Sequence, residues 1–223
     1  MRIRVNNCSL FYEHSGDGPP LLLLHGNGED HHIFDAASEQ LRRDFTLYAI
    51  DSRNHGESEK TADYSYDAMA EDVRRFILAL RLEQTRIVGF SDGAIVALLF
   101  AMRHSQLVSA MALLGVNLKP SDFTTENYRF LQERYAETRD PLVKMMLEQP
   151  NIELTDLRET PVPTLIIAAE HDLFHPEMFQ NLAQTMPNAR LQIVAGHTHD
   201  SYIAASDTWC PALREFFLHL PAQ

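Results

Sequence analysis

The stretch Ile87-Val88-Gly89-Phe90-Ser91-Asp92-Gly93-Ala94 constrains this chain more than any other. An extended run through Arg86, Ile87 and Val88 meets a Gly-x-Ser-x-Gly sequence, and an apolar run of helical character follows from Ala94 to Ala101. Strand, sharp turn and helix form the setting that a nucleophile-elbow motif requires. The motif alone recurs by chance in many proteins, and its weight here comes from that setting. A serine at such a turn takes a strained backbone conformation, and Gly89 and Gly93 let neighbouring backbone approach where a Cβ would clash. The hydroxyl then stands above the sheet edge. The amide N–H of Asp92, at the helix N-terminus, points to where an oxyanion would form. A base, an acid and a second oxyanion donor must come from elsewhere in the chain.

The 223 residues suffice for one domain with a closed hydrophobic core. A formal charge of −12 lacks the basic footprint that nucleic acid or an anionic membrane requires, so no nucleic acid and no membrane is expected as a partner; the small-molecule substrate that is expected follows from the polar strand ends. Cys8 and Cys210 make no disulfide framework and suit a reducing compartment. Met1-Arg2-Ile3-Arg4-Val5-Asn6 lacks the apolar core of a signal peptide. No apolar run approaches the roughly 18–20 residues of a membrane span. A cytoplasmic protein is expected.

Taken in order, residues 2–13 read as a hairpin about Asn6-Asn7, and Leu21 to Leu24 as a short strand buried on both faces. That strand ends in His25-Gly26-Asn27-Gly28. A helix is expected from about Asp30 to Arg43, then a strand from Thr46 to Ile50 ending at Asp51, then the polar loop Asp51 to Ser58. Tyr66 to Leu82 carries Met69, Val73, Phe76, Ile77 and Leu80 at helical spacing. Val108 to Leu114 is another buried strand. From about 117 to 163 the pattern changes to helices, Asn127 to Thr138 and Pro141 to Glu148, with more apolar surface than a connection needs; the segment reads as a small lid inserted into a single domain spanning 1–223. Strands resume at Thr164 to Ala169 and at Arg190 to Val194, separated by a helix from about Pro176 to Met186, and a helix from roughly Asp207 to Leu220 closes the chain. Short buried strands alternating with helices give a mostly parallel central sheet with helices on both faces.

In such a sheet, active groups gather beyond the carboxyl ends of the strands. Four strand ends carry polar chemistry here: His25-Gly26-Asn27, Ser91, Asp172 and the Gly196-His197-Thr198-His199 segment. Their chain order is nucleophile, acid, histidine. The sequence thereby resembles the α/β-hydrolase superfamily over nearly its whole length. The residues that carry the resemblance are His25 to Gly28, Asp51 to Ser58, Gly89 to Gly93, Pro163 to Asp172 and the His199 segment.

That resemblance implies Ser91 as nucleophile, His199 as the base that later returns a proton, and Asp172 as the acid that orients it. The backbone N–H groups of Asn27 and Asp92 would form the oxyanion hole. The implied chemistry is acyl transfer to Ser91 followed by hydrolysis, with no cofactor and no metal. His197 is the competing histidine, since it follows Gly196 directly. The assignment goes to His199 because Ala189 to His199 aligns better that way and Asp200-Ser201-Tyr202-Ile203 matches a family variant. Gly115-Val116-Asn117 offers no alternative carboxylate.

Other polar residues are expected to be ordinary. His31 and His32 should diverge on their helix as surface or lid-facing groups. His171 and His175 should be surface, Asp51 to Ser58 structural, and Asp92 should cap its helix or face away from the reacting carbonyl. The expected activity is that of a serine hydrolase of small esters, a carboxylesterase. The same triad also serves carbon–carbon bond hydrolases, thioesterases and lactonases, aminopeptidases and cofactor-free peroxidases. A small-molecule receptor with vestigial hydrolysis is the alternative from another class; a protein with a decayed site is a third, disfavoured because no triad position is lost.

Overall fold

A computed structural model describes residues 1–204 and 206–219. The hairpin is β1 (Arg2–Val5) and β2 (Cys8–Ser15), joined by Asn6 and Asn7 at φ of 45° and 57°. Asparagine tolerates this left-handed conformation, which a tight antiparallel turn demands at both central positions. Then come β3 (Pro20–Leu24), α1 (Asp35–Leu41), β4 (Thr46–Ile50), α2 (Tyr66–Leu80), β5 (Thr85–Phe90), α3 (Asp92–His104) and β6 (Val108–Leu114). The helices α4 (Thr125–Thr138) and α5 (Pro141–Glu148) follow, then β7 (Thr164–His171), α6 (Pro176–Thr185), β8 (Ala189–Thr198) and α7 (Cys210–Leu218).

The eight strands make one sheet in the order β1-β2-β4-β3-β5-β6-β7-β8. Only β1 and β2 run antiparallel to their neighbours; β4, β3 and β5 to β8 are parallel. Strands β3, β5, β6 and most of β7 bury both faces, so that alternate residues serve different cores, whereas the edge strand β8 stays largely exposed. In β3, Leu22 and Leu24 enter the core shared with α2, α3 and α6, whereas Leu21 and Leu23 enter the one shared with α1 and α7. Helix α3 is buried at every position from Asp92 to Ala101, which accounts for its unbroken apolar run. Helix α2 is capped by Ser65, whose hydroxyl accepts the Ala68 N–H, and turns Tyr66, Met69, Ala70, Val73, Phe76 and Ile77 inward along with Asp72.

Three expectations change. The helix from Asp30 to Arg43 divides into a 3-10 turn over His31–Phe34 and α1, because Asp30 caps the short turn through the His32 N–H and Asp51 holds the His31 N–H. Strand β8 runs on from Val194 to Thr198, so that His197 lies within it and His199 is the first residue beyond. The last helix is shorter at its start, beginning at Cys210, and the expected end at Leu220 lies outside the described residues. Cys8 and Cys210 are both buried and free. Among the described residues no helix is long and apolar enough to cross a membrane.

Below the loop after β4, Arg53 grips Asp72 of α2 through two bonds of 2.7 Å, and both side chains are almost fully buried. Removing one partner leaves the other charge without compensation. Asp72→Ala should therefore destabilise the fold by about 3 kcal/mol, with Asp63 beside Arg53 recovering only part of the loss. Urea unfolding with an unchanged m-value checks this, and a shift below about 1 kcal/mol would contradict it.

Candidate active site

The parallel register brings the carboxyl ends of the central strands to one rim. Leu24 pairs with Ile50 and with Gly89, Phe90 with Leu114, and Leu114 with Ile167. The residues immediately beyond are His25, Asp51, Ser91 and Gly115, with Asp172 following the end of β7. Ser91 sits at φ 52° and ψ −116°, a strained region for a residue with a Cβ. Its N–H donates to Leu114 O at 2.8 Å, and its carbonyl accepts the Ala94 N–H as α3 begins.

Ser91, His199 and Asp172 are brought together. Ser91 Oγ lies 3.1 Å from His199 Nε2, and His199 Nδ1 lies 2.7 Å from Asp172 Oδ1. Because a carboxylate oxygen accepts, the proton sits on Nδ1 and the Nε2 lone pair faces the serine hydroxyl. Asp172 is itself fixed by the N–H groups of Leu173 at 2.8 Å and Ala169 at 3.1 Å. The imidazole packs between Phe90 and Phe174, with ring centroids 5.0 and 5.4 Å away. Behind it Gly115 has φ +60°, and a Cβ there would stand 2.6 Å from His199 Cε1 and 2.9 Å from Nδ1. His197 instead meets Ser201 Oγ at 3.0 Å.

The loop after β3 is held by His25. Its Nε2 accepts the Ser52 N–H at 3.0 Å, so Nδ1 carries the proton and donates to Gly26 O at 2.8 Å. Burial, with His55 beside it, lowers the His25 pKa to about 4 and keeps the ring neutral. Asn27 and Asp92 face each other: Asn27 Nδ2 donates to Asp92 Oδ2 at 2.8 Å, and Tyr66 Oη donates to Asp92 Oδ1 at 2.7 Å. Among the described residues the backbone N–H groups of Asn27 and Asp92 have no acceptor within the protein. Of the two placements expected for the Asp92 side chain, a capping bond to α3 is not made, because Tyr66 and Asn27 occupy both oxygens. Burial raises its pKa against those two donors.

Above Ser91 is a cavity of about 340 Å³. Helices α4 and α5 wall it with Asn127, Phe130, Leu131, Arg134 and Met146, and the site loops supply Asn27, Glu29 and Asp200. Glu29, whose Oε2 accepts the Gly26 N–H at 2.9 Å, is pushed up to about 7 by burial. Glu29, Tyr66 and Gly115 escape the sequence reading. Glu29 lies only two residues beyond Asn27, the sole hint available. Tyr66 is the first residue of a helix whose periodicity explains it as core.

His31 and His32 do not diverge. Their ring centroids are 4.1 Å apart, although a 3-10 turn sets adjacent residues about 120° apart around its axis. His31 is buried, with Nδ1 on Asp51 Oδ1 at 2.8 Å, while His32 is exposed beside Asp35. Asp51 also accepts the Glu57 N–H, the structural part expected of that loop. His171 and His175 are exposed and absent from the cavity wall.

A family profile described as alpha/beta hydrolase fold matches residues 19–144, more than half of the chain. The AB hydrolase superfamily protein YisY of Bacillus subtilis (strain 168) is 37% identical over 100 residues, which take in 44% of this chain and 37% of that protein. In seven curated relatives that this chain matches, the aligned stretches span between 29% and 55% of the relative's length. Among solved structures, the meta-cleavage product hydrolase from Pseudomonas fluorescens IP01 superposes with a TM-score of 0.81 at 20% identity, covering 98% of this chain and 97% of that one. The thermophilic esterase from Thermogutta terrifontis gives 0.80 at 22% identity, covering 98% of each. At such identities the structures share the fold, and their chemistries differ from one another. The profile match, together with the sheet and its strand–turn–helix centre, establishes that this chain belongs to the alpha/beta hydrolase fold family.

Proposed function

We propose that this chain is a serine hydrolase of small carboxylic esters. The observation that carries the reading is the relay from Ser91 Oγ through His199 to Asp172, at 3.1 and 2.7 Å, on a strained strand-to-helix turn. Ser91 Oγ attacks the ester carbonyl while His199 Nε2 takes its proton. Asp172 holds the imidazolium that results and fixes its orientation. The carbonyl oxygen becomes an oxyanion between the N–H groups of Asn27 and Asp92, each donor supplying on the order of 3 kcal/mol of transition-state stabilisation. Collapse expels the alcohol, which takes the proton from His199. Water, deprotonated by the same nitrogen, then releases the acid from the acyl-enzyme. Every bond and proton in this sequence is handled by protein groups and water.

The segment 117–163 is read as a lid on this pocket, since α4 and α5 supply its outer wall. A cavity of about 340 Å³ suits a compact ester and not a long acyl chain.

A fluorophosphonate probe followed by intact-mass spectrometry tests the reading. The native protein should gain one label, Ser91→Ala and His199→Ala none, and His197→Ala should label at close to the native rate. Ester turnover should fall by about 10⁴-fold or more in the first two. A native protein that neither labels nor cleaves short esters would sink the proposal; diketone cleavage with negligible esterase activity would move it to carbon–carbon hydrolysis.

Gly115 provides a separate check on the imidazole position. Gly115→Ala should drive the His199 ring from its place and lower kcat by about a hundredfold, the cost of roughly an ångström of misplacement. Native-like circular dichroism alongside that loss would support the account; unchanged kcat would contradict it.

A further inference from the structure

Glu29 is a pocket carboxyl that the proposed reaction leaves unused. Both oxygens of Asp92 are occupied by Tyr66 and Asn27, and Asp172 lies behind His199. Glu29 has one oxygen on the Gly26 N–H, and among the described residues the other has no hydrogen-bond partner. The carboxyl is close to the nucleophile. A single point, where a Cβ on Gly26 would stand, is 2.8 Å from Glu29 Oε2 and 3.1 Å from Ser91 Cβ. Asp200, next to His199, lines the same cavity and is exposed. The rings of Phe123, Phe130 and Phe174 line the same cavity. Carboxylates set among aromatic faces are the chemistry that receives an organic ammonium. Arg134 is the one guanidinium on the wall, and it is exposed on α4, whereas Glu29 is half-buried on the loop that touches Ser91.

We propose that Glu29, assisted by Asp200, forms a subsite for a cationic group on the substrate, so that the preferred esters carry an ammonium centre close to the scissile bond. This rests on the ester-hydrolase reading above and narrows its substrate class. The ionisation of Glu29 makes the preference depend on pH. Burial raises its pKa to about 7, Asp92 at the start of α3 and Asp200 beyond β8 raise it too, and the Gly26 N–H and His199 oppose them. Arg134 faces the cavity from α4. Below about 7 Glu29 is a neutral acid and offers a cation no charge; above it, the carboxylate attracts one. Selectivity for a cation therefore grows as pH rises through neutrality.

The test uses the full chain with acetylthiocholine and its neutral isostere 3,3-dimethylbutyl thioacetate, in which carbon replaces the charged nitrogen. Both release a thiol for the same readout. The quantity measured is the ratio of their kcat/KM values, in which every effect of pH common to the two substrates cancels. In the native protein the ratio should exceed one and rise between about pH 6 and about pH 8. Glu29→Gln keeps an oxygen for the Gly26 N–H; it should lower the ratio about tenfold at the higher pH and flatten its pH dependence. Asp200→Asn should lower it less. An equal ratio in native protein and Glu29→Gln, or a fall confined to Asp200→Asn, overturns the subsite. Should Glu29→Gln fold poorly, a ratio in the native protein that is flat across the pH range is enough to overturn it. Failure of the native protein on both thioesters is a different result, which removes the ester-hydrolase reading and the subsite with it.

Discussion

Backbone packs directly on backbone at Gly89 and Gly93, and the site depends on that contact. A Cβ on Gly93 would run into the Leu24 carbonyl, and one on Gly89 into the Gly93 carbonyl. Helix α3 can therefore begin directly against the ends of β3 and β5, with Ser91 at the crossing. The strain at Ser91, about 1–3 kcal/mol, persists because its surroundings over-determine it. Its N–H is tied to Leu114, its carbonyl starts α3, and the helix behind it is buried on all sides. Fixed register across β3, β5, β6 and β7 then delivers the loop of Asn27, Ser91 and Asp172 to the same rim.

The polar groups beneath that rim are few, and most are satisfied. Neutral His25 joins the loop after β3 to the loop after β4, and Asp51 gathers three donors from His31 and Glu57. Such networks stabilise only when complete, and a single missing partner leaves a buried group unpaired. His55 Nε2 is one group without a partner among the described residues. It lies in the same cluster, with its ring 5.0 Å from that of His25.

Much of the architecture is legible in the sequence because parallel strands buried on both faces read as unbroken apolar runs. Leu21 to Leu24 and Val108 to Leu114 are recognisable without knowing their neighbours, and β6 has the expected bounds. The chain order of Ser91, Asp172 and His199 is legible for the same reason, since each follows a strand. The choice between two histidines turns on where β8 stops, and apolar character fades after Val194 although pairing continues to Thr198. The rest depends on groups that are distant in sequence and meet only in the fold. Tyr66 and Asn27 claim the carboxyl of Asp92, and Asp51 draws His31 inward and breaks the first helix. Glu29 gains its character from burial beside Gly26, which no local pattern encodes.

Asn27 joins the floor of the pocket to its roof. Its amide nitrogen donates to Asp92 at 2.8 Å and also reaches the Leu142 carbonyl of α5 at 3.3 Å. The carbonyl lies in the first turn of a helix whose start is fixed by Pro141 and the Asp140 cap, so the anchor on the roof side is stiff. One planar amide therefore acts as a strut between α5 and the loop that presents the Asn27 N–H. A displacement of α5 cannot leave that loop undisturbed without surrendering a hydrogen bond, and the position of α5 and the aim of the Asn27 N–H become a single mechanical variable.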